Sequence, residues 1–101
     1  MNDWKVYCYT GENNKKYVGI TCNSLYFRAG KNGIKYVNDG FAFGKAIEKY
    51  GFNYFTSEIL ENGLTFEEAK EKEKYYIQLY DTYKNGYNET YGGEGTITTD
   101  R

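Results

Sequence analysis

The stretch Trp4–Thr21, WKVYCYTGENNKKYVGIT, decides the fold. Two runs rich in aromatic and β-branched residues, WKVYCYT (Trp4–Thr10) and KKYVGIT (Lys15–Thr21), flank the polar break GENN. Such runs fit the pleated, half-buried surface of a strand, and a short Gly- and Asn-bearing link between them reverses the chain. The expected unit is an antiparallel hairpin with Tyr7 and Tyr17 on nearby rungs. Gly19, two residues after Tyr17, leaves room for a close approach of backbone or ligand at the strand end.

Working outward, Ser24 is placed to cap a short helix through LYFRAG that carries Arg28 on its last turn. KNGIKYVNDG (Lys31–Gly40) reads as a loop long enough to be functional. FAFGKAIEKYG (Phe41–Gly51) sets Phe43, Ala46, Ile47 and Tyr50 at helical spacing and stops at Gly51. NYFTSEILE (Asn53–Glu61) reads as a third strand, with Phe55 and Ile59 on one face and Tyr54 and Leu60 on the other. That two-sided pattern predicts a central strand covered on both faces. Thr65 and Glu68 then form a T-x-x-E capping box that opens a long helix. A chain of 101 residues supports one core. The expected fold is α/β in the α+β sense, a small three-stranded, mainly antiparallel sheet flanked by helices. One domain over residues 1–95 is expected, with 96–101 a frayed end to the turn-rich tail NGYNETYGGEGTITTDR.

The long helix FEEAKEKEKYYIQLY (Phe66–Tyr80) poses a chemical question. At about 100° per residue, Phe66, Ala69, Tyr76, Ile77 and Tyr80 share one face, and Glu73 projects near its centre. An ionised carboxylate taken out of water costs several kcal/mol unless it is paired or bound to a cation. A salt bridge to Arg28, a hydrogen bond from a buried Tyr, and a hard divalent cation completed by waters and substrate phosphate all satisfy that need.

Composition removes whole classes of chemistry. With no histidine, Ser-His-Asp and Cys-His catalysis and His-ligated metals are excluded, so acid–base work falls to Tyr, Lys, Asp, Glu or solvent. Cys8 and Cys22 match no zinc or disulfide spacing and read as free thiols of a reducing compartment. A mean hydropathy of -0.83 argues against a membrane span, and MNDWKVYCYTG lacks a signal-peptide pattern, so a soluble cytoplasmic protein is expected. The 13 tyrosines, 6 phenylalanines and one tryptophan predict an aromatic core whose hydroxyls need partners. A net charge of -1 lacks the excess of a stand-alone tight nucleic-acid binder, yet Lys15, Lys16, Arg28, Lys31 and Lys35 cluster in sequence away from the acids of Glu58–Glu73.

These residues stand in an ordered pattern. KVYCYTGENNKKYVGIT resembles the two-part signature of the GIY-YIG nuclease superfamily, with KVY in the place of GIY and YVG in the place of YIG. The likeness continues through Arg28, KAIEKYGFNYFTSEILE, Glu73 within EKEKYYI, and Asn88 within NGYN. It spans nearly the whole chain and points, within the superfamily, to the catalytic domains of phage and intron homing endonucleases. Lys5 stands where the first glycine of GIY is usual, and Ile20 and Thr21 follow YVG where some members carry Lys. The histidine that others place after the arginine is absent, leaving Lys31 or Lys35 as the basic helper.

The resemblance implies a metal-dependent DNA endonuclease. Carried over by position, Glu73 binds one divalent cation, Mg²⁺ or Mn²⁺; Arg28 stabilises the charged transition state; and Tyr17 acts as general base toward water. Tyr7 hydrogen-bonds within the site, and Asn88 orders it from the tail. Lys31, Lys35 and Lys45 are the expected phosphate contacts. DNA is then the partner, and sequence specificity is left to a further DNA-binding domain or protein. The competing expectation is a catalytically silent nucleic-acid-binding module of the same fold.

Overall fold

The computed structural model describes residues 2–90. The expected frayed end, 96–101, and the last part of the predicted domain, 91–95, lie outside the described residues. The hairpin forms as read: β1 (Trp4–Gly11) pairs antiparallel with β2 (Lys16–Thr21), Tyr7 opposite Gly19 and Tyr9 opposite Tyr17. Ser24 caps α1 (Leu25–Ala29), its Oγ accepting from the Phe27 N–H at 3.0 Å. After α2 (Ile34–Asp39) and α3 (Ala42–Tyr50), the chain returns to the sheet as β3 (Phe55–Leu64). The Thr65–Glu68 capping box opens α4 (Phe66–Tyr80): Thr65 Oγ1 accepts from the Glu68 N–H, and Glu68 Oε1 from the Thr65 N–H. A single-turn α5 (Thr82–Asn85) follows.

The sheet is antiparallel throughout, in the order β2-β1-β3. The central strand is therefore β1, whose consecutive Val6, Tyr7, Cys8 and Tyr9 are all buried. This corrects the expectation for the third strand. β3 is an edge strand, and its Thr56–Ile59 run is exposed. Two register shifts, opposite Val6/Tyr7 and Trp4/Val6, break its alternation, so the apparent two-sided pattern does not correspond to two covered faces. The strand also continues through Asn62-Gly63-Leu64, which reads as a link in the sequence.

Alternation along β1 and β2 divides the core in two. Tyr7 and Tyr9 face α2 and α3 and pack with Tyr36, Phe43, Ala46, Ile47 and Phe55. Val6, Cys8, Val18 and Ile20 face α4 through Ala69 and Ile77. Phe66 and Tyr50, expected on buried helix faces, lie at helix ends with 40% and 42% exposure; the Phe66 ring meets Trp4 at a tilt, 4.8 Å between centroids, and Tyr50 stacks on Tyr54.

The segment Lys31–Gly40 is a second departure from the sequence expectation. It folds as a turn (Lys31–Gly33) followed by α2, bracketed by Gly33 and Gly40, both at φ 75°. Six residues are too few for a helical period to show. Burial of Tyr36, 3% exposed, supplies what intrinsic propensity does not. Gly44 lets α3 approach α2: a Cβ there would fall on the Tyr36 carbonyl oxygen and 2.7 Å from its carbon. Gly44→Ala is expected to destabilise the protein by about 1–3 kcal/mol through this overpacking, read as a lower midpoint in urea unfolding.

Candidate active site

The sheet face toward α2 and α3 gathers polar aromatic groups about Tyr36. Because Gly19 has no side chain, the Tyr7 ring crosses over β2; a Cβ at Gly19 would meet the Tyr7 hydroxyl and lie 2.5 Å from its Cζ. Tyr7 Oη reaches Tyr36 Oη at 2.6 Å in a buried hydrogen bond in which either hydroxyl can donate. The Arg28 guanidinium, delivered by the last turn of α1, lies over the Tyr36 ring, 4.6 Å from its centroid. Its Nη2 is 4.0 Å from the Asp39 carboxylate at the end of α2. Tyr17 stacks on Phe43 at 4.5 Å and meets Tyr36 edge-on at 5.6 Å. Tyr7, Tyr17 and Arg28, far apart in sequence, thus converge on one residue that none of the motifs contains.

The tyrosines of this cluster differ in exposure. Tyr7 is fully buried and Tyr36 nearly so, whereas Tyr17 keeps part of its surface in solvent. Burial pushes the Tyr7 phenol well above its ordinary value of about 10; the Tyr36 and Tyr17 hydroxyls add to the rise, and Arg28 opposes it. Burial also raises Tyr36 strongly, and it raises Tyr9 to about 12, with Arg28 again opposing. Tyr7 and Tyr36 therefore hold their protons through neutral and moderately alkaline pH.

The C-terminal part of the described chain clamps this face. Asn88 is buried at the β2 edge, where its Nδ2 donates to the Val18 carbonyl and its Oδ1 accepts from the Val18 N–H, both at 2.8 Å. The edge of β2 next to Tyr17 is thereby satisfied by one amide. Glu89 Oε2 accepts from the Ala42 N–H at 2.7 Å, capping α3, whose own N-cap residue Phe41 offers no side-chain cap. Glu73 is buried on α4, 3% exposed, on the stripe between Ala69 and Ile77. That helix packs on the opposite side of the sheet from the Tyr7–Tyr36 pair. Lys31 and Lys35 are exposed in the segment after α1, and Lys45 lies on the outer face of α3.

Among solved structures, the chain is similar to the catalytic domain of intron endonuclease I-TevI, solved as a glutamate-to-alanine mutant. The TM-score is 0.71 over 89% of this chain and 95% of that one, at 24% sequence identity. The chain has the GIY-YIG fold. No protein-family model matches the sequence, and no curated protein matches it. The likeness therefore lies in the arrangement of sheet and helices, which here places the KVY and YVG strands side by side with Arg28 above them.

Within this GIY-YIG fold, the residue that sequence reasoning missed is Tyr36. The only signal for it was a large aromatic between two glycines in a segment otherwise read as loop. A donor set for a metal is sparse: among the described residues no three His, Cys, Asp or Glu side chains lie together as a cage, and no helix is long and apolar enough to cross a membrane. A single buried carboxylate such as Glu73 suits a hard cation whose other ligands are water and phosphate oxygen, and does not suit zinc.

Tyr36→Phe deletes the partner of the Tyr7 hydroxyl while keeping the ring under Arg28. A loss of about 1–3 kcal/mol in folding free energy is expected, measured by urea unfolding at neutral pH. The pH dependence has a definite sign. Above about pH 10 the folded chain keeps protons on Tyr7 and Tyr36 that the unfolded chain releases. Stability from these groups is fully present below that pH and falls as pH rises toward their folded-state values, by about 1.4 kcal/mol per pH unit for each phenol. Urea midpoints measured from neutral pH upward should show this fall, with a shallower slope in Tyr36→Phe.

Proposed function

We propose that the protein is a divalent-metal-dependent DNA endonuclease that hydrolyses phosphodiester bonds. The observation that carries this reading is the convergence of Tyr7, Tyr17 and Arg28 on Tyr36, in a fold similar to that of an endonuclease catalytic domain.

The residues divide the work by burial and charge. Arg28 is partly exposed, with 13% of its side-chain surface open, and its fixed cation and forked donors suit the oxygens of a phosphoryl group. Stacking on Tyr36 aims it, so less rotamer freedom is lost when phosphate binds. Tyr7 and Tyr36 keep their protons and act as fixed dipoles. The general base toward the attacking water is assigned to Tyr17, the partly exposed member of the cluster, in its ionised form. The phenolate Oη takes the water proton as the water oxygen bonds to phosphorus and the bond to the leaving oxygen breaks, and the phenol then returns that proton to solvent. Asn88 holds the β2 edge beside Tyr17 in register. Glu73, which α4 delivers from the other face of the sheet, is the residue to hold one Mg²⁺ or Mn²⁺, which would supply Lewis-acid stabilisation to a phosphate that spans the β2 edge between it and Arg28. Lys31, Lys35 and Lys45 position the backbone without reading its sequence, and a further DNA-binding domain or protein supplies specificity.

The test is nicking of supercoiled plasmid at low salt, with Mg²⁺, Mn²⁺ or EDTA. Metal-dependent nicking is expected from the wild type, and a rate lower by about 10²-fold or more in Tyr17→Phe, Arg28→Ala and Glu73→Ala once circular dichroism shows each to be folded. A folded wild type that never nicks DNA with either metal would make the chain a silent binding module.

A further inference from the structure

Helix α1 presents two consecutive aromatics to solvent immediately before Arg28. Tyr26 is 71% exposed and Phe27 55% exposed. Neither contributes to the core. Phe27 is fixed from above by a cation: Lys35 Nζ lies 4.2 Å from the ring centroid and donates to the Phe27 carbonyl at 2.7 Å. Tyr26 stands at the rim of an open groove of about 380 Å³ between α1 and the start of β3. Tyr9 and Phe55 contribute apolar walls, and Lys31, Asn32 and Asn53 bring one cation and two amides to the lining. Tyr9 also packs against Tyr36, with ring centroids 6.0 Å apart, so groove and catalytic cluster share a wall.

This combination fits one ligand chemistry closely. A nucleobase has two π-faces that stack on aromatic rings, an edge of donors and acceptors that amides can satisfy, and an attached phosphate that attracts Lys or Arg. Bases inside a continuous duplex already stack on one another and offer no face to a protein aromatic. Exposed rings interleaved with Arg28, Lys31 and Lys35 are therefore of use to a strand whose bases are unpaired. Such a platform also gives affinity to a chain of net charge -1, because stacking needs no excess of cations.

We propose that Tyr26, Phe27 and the groove between α1 and β3 form a stacking platform for an unpaired base of the DNA strand entering the site. The chain then prefers DNA with unpaired nucleotides beside the scissile bond over continuous duplex. This inference rests on the endonuclease reading for its substrate, and binding is measurable apart from cleavage.

The experiment is fluorescence anisotropy in EDTA with a fluorescein-labelled duplex and the same duplex carrying a central unpaired stretch. Wild-type protein is compared with Tyr26→Ala, Phe27→Ala and Tyr26→Trp. The wild type is expected to bind the unpaired substrate about tenfold or more tightly than the duplex. Each alanine variant should lose most of that preference with duplex binding unchanged, and Tyr26→Trp should retain it. Equal binding of the two substrates by the wild type, or alanine variants that keep the full preference, overturns the platform. Plasmid nicking with Mg²⁺ separates the two readings. Nicking without the binding preference removes the platform alone; the binding preference without cleavage of any DNA supports the platform and removes the nuclease.

Discussion

One buried hydrogen bond, from Tyr7 on the central strand to Tyr36 on α2, ties the sheet to the helices that cover it. Its net worth is modest, about 1 kcal/mol, but leaving either hydroxyl unpaired inside the core would cost about 1–3 kcal/mol. That asymmetry makes the pair obligatory and explains several features around it. Gly19 leaves space for the Tyr7 ring, and Gly44 lets α3 close on the backbone of Tyr36. With Tyr36 fixed at one edge by Tyr7, its face is available as a seat for Arg28. A scaffold hydrogen bond and the seat of the Arg28 guanidinium thus share one side chain.

The same pair separates two kinds of tyrosine. Those that are buried are pushed toward keeping their protons, and Arg28 only partly offsets the cost of desolvation. Tyr17 lies at the margin of the cluster, stacked on Phe43 and beside the strand edge that Asn88 holds. Tyr17 is thereby the tyrosine of this cluster that keeps access to solvent.

What the sequence disclosed follows the range of the forces involved. The hairpin, the Ser24 cap and the Thr65–Glu68 box are local, and each is present as read. Glu73 was legible as a buried acid because a helical face is also a local property, and it is 3% exposed. The place of β3 was not legible. Edge or centre is decided by pairing with β1, more than 40 residues away in the Thr10–Thr56 pair, and by register shifts that no short window contains. Helix α2 escaped notice because its six residues show no period, and Tyr36 escaped with it because its partner lies 29 residues earlier. Tyr7, Tyr17, Arg28 and Asn88 stood out through a motif resemblance, while the residue on which three of them converge belongs to no motif.

The most direct test of this account is the pH titration of the tyrosine ¹³Cζ chemical shifts in the folded protein, with Tyr7 and Tyr36 assigned by Phe substitution. The account predicts that both resonances stay at the protonated position beyond the ordinary tyrosine value of about 10 while the fold persists. A Tyr7 resonance that moves with a midpoint at or below about 10 would contradict the buried, proton-holding pair on which the arrangement of the site depends.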